Sequence, residues 1–277
     1  MQQKHIKINE SISFGNNLPL VFILGPCQME SRDHAIMMVE KLLEITTRLK
    51  VPFIFKSSFD KANRTSISGK RGIGLDSALK VFDEIRSKFK VPTITDVHKE
   101  SDCQAVKDFV DIIQIPAFLC RQTDLLIAAA KTGKVINVKK GQFLSPNDAK
   151  NICQKLEHCQ NSQILLTERG SSFGYNNLVV DMRGLAIMSQ TGYPVIIDAT
   201  HSTQAPGGLG NASGGDRKFA PVIARSAVAV GIAGIFAEVH QDPDNAPSDG
   251  PIMIKLHELE TMIQQVIAID KTVKSFV

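Results

Sequence analysis

The sequence predicts an α/β protein folded as a single (β/α)8 TIM barrel with a short N-terminal β-hairpin. Short apolar runs of the kind that form buried strands alternate eight times with segments of helical periodicity. The chain has 277 residues, and an eight-unit barrel typically takes about 250. An open doubly wound sheet is the structural alternative, and it is disfavoured because no Gly-rich dinucleotide turn follows the first run.

The elements follow one another without a linker or a low-complexity segment. A hairpin from Ile6 to Phe14 opens the chain, within a first piece of residues 1–17. The predicted strands are Leu20–Leu24, Phe53–Phe55, Thr93–Thr95, Ile112–Ile115, Val135–Val138, Ile164–Leu166, Val195–Ile197 and Ile235–Ala237. The predicted helices span residues 31–49, 76–89, 99–109, 122–132, 147–159, 181–191, 217–231 and 255–275. One domain covering residues 1–277 is therefore predicted.

Four of these helices open with a short polar residue that can cap free backbone N–H groups. The predicted caps are Ser31, Asp76, Asp148 and Asp216. Two histidines on helices, His34 and His257, are expected at the surface.

Composition excludes several classes of function. The hydrophobic fraction of 43% and the charged fraction of 22% are typical of a soluble globular protein. A net charge of +4, no Trp and no long basic block argue against a nucleic-acid partner. No apolar run is long enough to span a membrane, and the five cysteines form no CxxC pair. We therefore expect a cytoplasmic protein with reduced thiols and no membrane partner.

Chemistry in such barrels occurs at the carboxyl ends of the strands, and every predicted strand here ends in polar or ionisable residues. These ends are Gly25-Pro-Cys27, Lys56-Ser-Ser58, Asp96-Val-His98, Gln114, Lys139-Lys140-Gly141, Glu168-Arg169-Gly170, Asp198-Ala-Thr-His201 and Glu238-Val-His240. Because all eight ends have this character, an active site is predicted at this end of the barrel.

One group of strand-end residues suits a metal ion. Cys27, His201 and Glu238 follow strands 1, 7 and 8, which become neighbours when the barrel closes, and Asp249 lies in the loop after strand 8. Sulfur, imidazole and carboxylate donors suit Zn²⁺, Fe²⁺ or Mn²⁺. A free cysteine is also commonly a small buried hydrophobe, so this pattern alone leaves both interpretations of Cys27 open.

A second group is basic and surrounds the centre of the same end. Its members are Lys56, Lys61, Arg64, Lys139 and Arg169, with Lys140 and Arg121 beside them. This density of cations suits a substrate with a carboxylate and one or two phosphates. Pairing of some of these cations with Asp96, Glu168 or Asp198 is the structural alternative.

The Gly-rich segment 206–215 is predicted to be a mobile active-site loop that leads into the helix at Asp216. It lacks the Lys-Ser/Thr of a P-loop.

Six strings carry a resemblance to a known family. They are GPCQMES (25–31), KSSFDKANRTS (56–66), IQIPAFLCRQTD (113–124), NVKKGQF (137–143), TERGSSFGYNNL (167–178) and DATHS (198–202). They closely resemble 3-deoxy-D-manno-octulosonate 8-phosphate synthases, and the resemblance covers nearly the whole chain. That family condenses phosphoenolpyruvate with D-arabinose 5-phosphate on the route to bacterial lipopolysaccharide. Its members are (β/α)8 barrels, usually tetrameric.

The resemblance implies roles for individual residues. Lys61, Lys139 and Arg169 would hold phosphoenolpyruvate, and Arg121 would reach the phosphate end of a neighbouring subunit's site, so that a homotetramer is expected. The remaining implied substrate-binding residues are Lys56, Ser58, Gln114, Ala117 and Phe118, with Asn63, Arg64 and Thr65 for the sugar phosphate. The implied catalytic residues are Lys61, His201, Cys27 and Asp249.

The family divides into metal-dependent members, with Cys after the first strand, and metal-independent members, with Asn there. Cys27, together with His201, Glu238 and Asp249, implies the metal-dependent form with Zn, Fe or Mn as cofactor. The segment Ser248-Asp-Gly-Pro251 partly resembles the Cys-Asp-Gly-Pro of metal-independent members, which keeps that form open.

Two other functions remain as alternatives. One is a 3-deoxy-D-arabino-heptulosonate 7-phosphate synthase, which takes erythrose 4-phosphate. Its matching segment reads Lys-Pro-Arg-Thr-Ser, whereas Lys61-Ala-Asn-Arg-Thr65 supplies an additional amide for a longer sugar. The other is a catalytically silent phosphosugar-binding barrel, against which the complete set of ionisable residues argues.

Overall fold

The computed structural model describes residues 3–208, 210 and 213–276. Within them, eight barrel strands each precede one helix. The strands are β1 (Val21–Gly25), β2 (Phe53–Lys56), β3 (Thr93–Asp96), β4 (Ile112–Ile115), β5 (Val135–Lys139), β6 (Ile164–Glu168), β7 (Val195–Asp198) and β8 (Gly234–His240). The helices are α1 (Arg32–Leu49), α2 (Leu75–Phe89), α3 (Glu100–Val106), α4 (Thr123–Ala130), α5 (Ala149–His158), α6 (Met182–Ser189), α7 (Ala220–Val228) and α8 (Leu256–Lys274).

The strands close into a barrel in chain order. Each strand pairs in parallel with the next, and β8 pairs with both β7 and β1. At the closing seam Glu238 lies opposite Gly25, and Asp198 on β7 lies opposite Phe236. The predicted (β/α)8 barrel is therefore confirmed, and the open doubly wound sheet is excluded.

The local sequence explains why each element forms. All residues of the eight strands are buried, as expected for apolar parallel strands covered on both faces. The helices bury one face only; in α5 this face consists of Ala149, Ile152, Cys153 and Leu156. Among the described residues, no helix combines the length and the hydrophobicity needed to cross a membrane.

The predicted caps are only partly correct. Ser31 caps α1, because its side chain accepts from the His34 N–H at 3.1 Å. Asp76 is not a cap, since Gly74 occupies that position and Asp76 lies inside the first turn of α2. Asp216 accepts from the Lys218 N–H, at the start of a 3₁₀ turn that precedes α7.

Asp148 stands at the N-cap of α5, but its side chain makes no capping bond to a described backbone group. A 3₁₀ turn also separates Asp216 from α7, so the predicted helix 217–231 is divided into Arg217–Phe219 and Ala220–Val228. Pro221 lies in the first turn of α7, where the missing N–H of proline costs no hydrogen bond.

The predicted N-terminal hairpin covers the amino end of the barrel. Ile6–Lys7 pairs antiparallel with Ser13–Phe14, and Phe14 is fully buried. The Asn16 side chain then donates to the Tyr193 carbonyl at 3.1 Å and accepts from the Val195 N–H at 2.9 Å, at the start of β7. The hairpin leaves the opposite, carboxyl end of the barrel uncovered, and this is the end where the active site is predicted.

No side chain fits at position 25, where β1 passes closest to β2. A Cβ on Gly25 would lie 1.9 Å from the carbonyl oxygen of Lys56. We expect Gly25→Ala to lower the free energy of unfolding by about 3 kcal/mol, as in overpacked cores. Urea denaturation measures this loss. Gly133→Ala is the control, because its Cβ would meet no described atom within 4 Å and would add only left-handed backbone strain of about 1 kcal/mol. Equal losses in both variants would contradict the steric explanation.

Candidate active site

A cavity of about 790 Å³ opens at the carboxyl end of the barrel. Its volume lies in the range of small-molecule sites, about 300–1,000 Å³. The predicted site residues on its wall are Lys56, Lys61, Asn63, Arg64, Thr65, Gln114, Ala117, Phe118, Lys139, Arg169, His201 and Asp249. The other predicted site residues, Cys27, Ser58, Arg121 and Glu238, are not part of the wall.

Of the four predicted metal ligands, His201 and Asp249 line the cavity, and Cys27 and Glu238 are buried next to them. Ligand atoms of Cys27, Glu238 and Asp249 all lie within 4.8 Å of one another, and Cys27 Sγ is 3.1 Å from Asp249 Oδ2. His201 Nε2 lies 3.8 Å from Glu238 Oε1 and 3.7 Å from Asp249 Oδ2. One cation could therefore contact all four side chains after small side-chain movements.

Two further observations fit a cation at this group. Glu238 is fully buried, and its Oε2 has no hydrogen-bond partner among the described residues. His201 Nδ1 lies 2.7 Å from Asp198 Oδ2, without the geometry of a hydrogen bond, and Nε2 lies on the side of the other ligands. A thiol, an imidazole and two carboxylates form a donor set that Zn²⁺ or Fe²⁺ accepts.

The electrostatic surroundings differ between these ligands. Burial, with Asp249 and Glu238 nearby, raises the pKa of the Cys27 thiol well above its ordinary value. Burial also opposes ionisation of Glu238, but Lys56 and other neighbouring cations lower the pKa of Glu238 to about 2. Lys56 Nζ donates to Glu238 Oε1 at 2.9 Å and to the Cys27 carbonyl at 2.8 Å. Glu238 is thus a carboxylate, and Cys27 needs a cation to become a thiolate.

Lys61 lies on the cavity wall and faces the acidic side of the site. Burial disfavours its ammonium, but the carboxylates of Glu238 and Asp96 outweigh this effect and hold the pKa of Lys61 well above its ordinary value. Lys61 is therefore a cation, as anion binding requires. Its position is fixed by its own backbone N–H, which donates to the Arg71 carbonyl at 2.7 Å.

Arg169 is a buried guanidinium with one unused side. Its Nη2 donates to Gln204 Oε1 at 2.9 Å, whereas Nη1 is buried without a hydrogen-bond partner in the described part of the chain. Burial lowers the pKa of Arg169, while Asp198 and Asp249 oppose that shift. Backbone bonds from Arg169 N and Gly170 N to Glu168 Oε1 hold this strand end in place. An unpartnered buried donor on a cavity wall is well placed to bind an anion.

Lys139 lies at the end of the neighbouring strand β5, above the aromatic ring of Phe236. Its Nζ is 3.7 Å from the ring centroid and forms an ion pair with Asp198. Burial lowers the pKa of Lys139, although Asp198 opposes the shift. Asp198 stays ionised because His201 and Lys139 hold its pKa well below the ordinary value against the effect of burial. Asp198 therefore links the predicted anion site to the predicted metal ligand His201.

Asp96 and His98 join the site from β3. Ser58 Oγ donates to Asp96 Oδ1 at 2.5 Å, and His98 Nε2 lies 3.1 Å from Asp96 Oδ2. Although burial opposes it, the pKa of Asp96 is lowered by His98 and Lys61, and the pKa of His98 is raised by Asp96 despite burial. Ser58, predicted to bind substrate, bonds to Asp96 and does not line the cavity, whereas Asp96 and His98 do; its contact with substrate stays a prediction.

The predicted sugar-phosphate segment crosses the mouth of the cavity. Arg64 Nη1 donates to Ser248 Oγ at 2.7 Å, and Nη2 donates to the Pro247 carbonyl at 2.9 Å. These bonds join the loop after β2 to the loop after β8. Asn63 and Thr65, on either side of Arg64, are exposed to the cavity and to solvent.

A buried polar row supports the wall between β4 and β6. Asn137 Nδ2 donates to Gln114 Oε1 at 3.1 Å, and Thr167 Oγ1 donates to Asn137 Oδ1 at 2.7 Å. Gln114 is thereby held at the cavity, next to Ala117 and Phe118 on the short turn after β4.

Three charged residues at this end of the barrel point elsewhere. Arg121 is exposed and lines a separate small cleft beside α5. Lys140 is buried, donates to the Gly141 and Leu144 carbonyls at 3.0 Å each, and lies 3.5 Å from Glu168 Oε2. Lys140 and Glu168 therefore support the loops after β5 and β6, which corrects the expectation that Lys140 lies beside the cavity cations.

A cluster of Glu30, His34 and His240 lies outside the cavity, and it shows that the surface prediction for His34 is wrong. The His34 side chain is only 10% exposed, because it packs beside His240 with ring centroids 4.9 Å apart. The Asp242 N–H donates to His240 Nδ1, so the proton of the neutral ring is on Nε2 and points to Glu30 Oε1 at 2.8 Å. Because His240 Nε2 carries a proton, it has no lone pair to offer a metal ion. We therefore interpret the cluster as a hydrogen-bonded link between the start of α1 and the end of β8.

The segment 206–215 lies partly outside the described residues, which lack 209, 211 and 212. Its ends form an antiparallel ribbon of Gln204–Ala205 with Gly214–Gly215, and Pro206 and Ser213 line the cavity. Its mobility stays a prediction.

Sequence reasoning missed two residues that organise the wall. Gln204 bonds to both Arg169 and Asp249, and Ser248 bonds to both Arg64 and Cys27. The site residues were predicted from polar residues that directly follow a barrel strand, and neither Gln204 nor Ser248 does so.

The cations form a candidate anion-binding side of the cavity, and the four predicted metal ligands form a candidate cation-binding side. Lys61, Lys139 and Arg169 surround the space in front of the group formed by Cys27 and its neighbours. Such an arrangement can hold a phosphorylated carboxylate and stabilise an oxygen anion that forms during reaction.

Comparison with known proteins agrees with this geometry. A family model described as the DAHP synthetase I family matches residues 3–275. A 2-dehydro-3-deoxyphosphooctonate aldolase of Rickettsia bellii is 59% identical over 272 residues, which cover 98% of this chain and 99% of that protein. The proteins of the same name from Rickettsia prowazekii and Rickettsia conorii are 59% and 58% identical over 275 and 272 residues. They cover 99% and 98% of this chain, and 100% and 99% of their own.

Proposed function

The chain belongs to the DAHP synthetase I family, and we propose that it acts as a 2-dehydro-3-deoxyphosphooctonate aldolase, that is, a 3-deoxy-D-manno-octulosonate 8-phosphate synthase. This enzyme is a transferase that forms a C–C bond. It joins phosphoenolpyruvate, D-arabinose 5-phosphate and water, and it releases phosphate, in lipopolysaccharide precursor synthesis. The observation that carries the proposal is the convergence of Lys61, Lys139 and Arg169 on one cavity, in a chain 59% identical to an aldolase of that name.

Phosphoenolpyruvate carries a carboxylate and a phosphate, and both need cationic partners. Arg169 offers the free Nη1 side of its guanidinium, and Lys61 and Lys139 offer ammonium groups on the same wall. We propose that these three residues hold phosphoenolpyruvate, with Gln114 and Ala117 beside it. Lys56 stays with Glu238 and supports this wall.

The sugar phosphate would bind at the mouth of the cavity. Asn63, Arg64 and Thr65 lie there, and Arg64 is held by Ser248 and Pro247. The Asn63 amide can bond to sugar hydroxyl groups, and Thr65 and Arg64 supply donors for phosphate. Arg121 is exposed outside this cavity, so we propose that it completes the site of a neighbouring subunit.

The reaction joins the two substrates through C3 of phosphoenolpyruvate. C3 attacks the sugar aldehyde, water adds at C2, and the resulting hemiketal phosphate collapses with C–O cleavage. Lys61, Lys139 and Arg169 would keep the phosphate bound throughout and hold C3 toward the aldehyde. His201 and Asp249 lie where they can orient the aldehyde oxygen or the attacking water.

We further propose that the chain is of the metal-dependent form, with Cys27, His201, Glu238 and Asp249 as ligands of Zn, Fe or Mn. The unpartnered Glu238 Oε2 and the placement of His201 Nε2 near Glu238 and Asp249 support this assignment. A divalent cation held there would supply Lewis-acid stabilisation to the developing alkoxide or to the attacking water. Metal binding with a purely structural role is the competing account.

The heptulosonate synthase remains as a second candidate because the matching family model bears the description DAHP synthetase I. The two candidates differ in their sugar substrate. Phosphate release from phosphoenolpyruvate should be rapid with D-arabinose 5-phosphate and at least about ten-fold slower with erythrose 4-phosphate, since a site that bonds to a hydroxyl discriminates against analogues that lack it. The reverse preference would identify the heptulosonate synthase, and no release with either sugar would leave a silent binding barrel.

We propose that the protein is a homotetramer. Four aromatic side chains in the loops after β4, β5 and β6 are exposed, and we call them the mouth patch: Phe118, Phe143, Phe173 and Tyr175, exposed by 54%, 60%, 69% and 99%. Exposed aromatic groups of this size mark interaction surfaces. A second copy of the chain on the patch would lie beside the cavity, because Phe118 belongs to both.

Phe143→Asp should therefore convert the tetramer into smaller species, because a carboxylate would be buried at the interface. Analytical ultracentrifugation measures the change. Phe276→Asp serves as control, because Phe276 is 78% exposed next to the end of α8. A wild-type monomer, or equal dissociation of both variants, would contradict the assignment of the mouth patch.

The cytoplasm is the compartment that we propose. All five cysteines lie in the described part of the chain and are free thiols, as reducing compartments favour.

A further inference from the structure

Gln204 lies between the anion-binding side and the cation-binding side of the cavity. Its Oε1 accepts from Arg169 Nη2 at 2.9 Å, and its Nε2 donates to Asp249 Oδ1 at 3.1 Å. A carboxamide accepts at one end and donates at the other, so only one orientation of the side chain satisfies both bonds.

Arg169 and Asp249 each bond to Gln204 through one terminal atom, and the other terminal atom of each is left for ligands. Arg169 Nη1 has no partner among the described residues, and Asp249 Oδ2 lies 3.1 Å from Cys27 Sγ and 3.7 Å from His201 Nε2. Anchoring one side of either group therefore fixes the direction of its free side. Gln204 is the side chain that anchors both.

The backbone around Gln204 adds rigidity to this bridge. Gln204 pairs with Gly215 in the short ribbon at the base of the segment 206–215, and the Asp216 N–H donates to the Thr203 carbonyl at 3.2 Å. The amide is thus attached to the ribbon that borders the cavity. If Arg169 moves, the amide can keep its hydrogen bond to Arg169 only by breaking its hydrogen bond to Asp249.

We propose that Gln204 is a positioning residue that couples anion binding at Arg169 to cation binding at the group formed by Cys27, His201, Glu238 and Asp249. This proposal rests on the proposed function. An anion on Nη1 immobilises Arg169, which orients the Gln204 amide, and the amide then holds Asp249 with Oδ2 toward the cation. Coupling of binding free energies is reciprocal, so a bound cation strengthens anion binding by the same factor.

Direct electrostatic attraction between a bound anion and a bound cation also contributes to the coupling free energy. This electrostatic contribution does not depend on Gln204. The two contributions are separated by comparing variants. Gln204→Met removes both hydrogen bonds at similar side-chain volume. Gln142→Met is the matched control, because Gln142 lines the same cavity and its Oε1 bonds to no described residue.

The experiment measures the Zn²⁺ dissociation constant of metal-stripped protein by competition with a chromophoric chelator. Each measurement is made with and without saturating phosphoenolpyruvate, in the absence of sugar so that no turnover occurs. The ratio of the two constants is the coupling factor. We expect Gln204→Met to reduce this factor by about five-fold, the lower end of typical couplings, and Gln142→Met to leave it unchanged.

Gln204→Glu gives a second, directional test. The added carboxylate would lie beside Asp249 and pair with Arg169. Zn²⁺ should then bind more tightly and phosphoenolpyruvate more weakly than in the wild type. General damage to the fold would weaken both.

The outcomes distinguish this proposal from the function on which it rests. An unchanged coupling factor in Gln204→Met, or an equal loss in Gln142→Met, overturns the role of Gln204 while wild-type turnover still supports the synthase. Wild-type protein that binds no Zn²⁺ overturns both the coupling and the metal-dependent form. Wild-type protein that binds Zn²⁺ but neither binds nor converts phosphoenolpyruvate overturns the proposed function.

Discussion

Replacing Arg169 by methionine is expected to lower kcat/KM for phosphoenolpyruvate by about 10³-fold, an upper value for losing one preorganised charged donor. Arg169 is 4% exposed and its Nη1 has no partner among the described residues. A buried unpartnered donor is costly in the free protein and becomes favourable only when an anion binds. The same substitution should therefore leave the free energy of unfolding unchanged or raise it.

Steady-state kinetics and urea denaturation of Arg169→Met test both parts of this prediction. Arg169→Lys is the matched variant, because it keeps the charge but loses the planar fork, and we expect an intermediate loss of activity. A loss of activity that accompanies a large loss of stability would show that Arg169 is structural. Wild-type kcat/KM in Arg169→Met would remove Arg169 from the substrate site.

Cys27→Ala is expected to weaken metal binding by more than about 100-fold, since even residues that only orient ligands contribute 10–100-fold. Cys27 is fully buried, with its sulfur 3.1 Å from Asp249 Oδ2, and the remaining nearby ligands are Glu238 and His201. We expect activity to fall in parallel, with partial recovery at high metal concentration. Metal content after dialysis and activity at graded Zn²⁺ concentrations measure the two effects.

Cys153→Ala is the control for loss of a buried thiol, because Cys153 packs in α5 on the outside of the barrel. Its metal content should equal that of the wild type. Cys27→Asn tests the direct role, because it places an amide at the same strand end. Full activity of Cys27→Asn in chelator-treated protein would refute a direct catalytic role for the metal.

Much of the fold could be predicted because hydrophobic burial sets it. Strands buried on both faces read as apolar runs, and the helices between them show one apolar face. Helix starts were less predictable. Asp76 can cap a helix as well as Gly74 can, and the choice depends on where the loop after β2 returns to the barrel.

The site was predictable where a side chain directly follows a strand. Cys27 and His201 approach the same point because β8 joins β7 to β1. Contacts that depend on loop paths could not be read in this way. Gln204 reaches Asp249 across 45 positions of sequence, and His34 is partly covered by a histidine at the end of β8.

Which lysines face the cavity could be decided only from the structure. Lys56 and Lys139 end their strands, Lys140 follows one directly, and the three look alike in sequence. Lys140 turns away to bond with backbone carbonyls, whereas Lys139 faces the cavity beside Asp198. Successive residues along an extended chain point to opposite faces. The side chains of Lys139 and the next residue, Lys140, therefore point in opposite directions.

The most direct test of the account is phosphate release from phosphoenolpyruvate with D-arabinose 5-phosphate. It is measured before and after treatment with dipicolinate or EDTA, and then with Zn²⁺, Fe²⁺ or Mn²⁺ added back. We predict release by the untreated protein, its loss when the metal is removed, and its recovery with at least one of these ions. Release that survives verified metal removal would contradict the metal-dependent form. The absence of release with this sugar, together with release on erythrose 4-phosphate, would contradict the synthase itself.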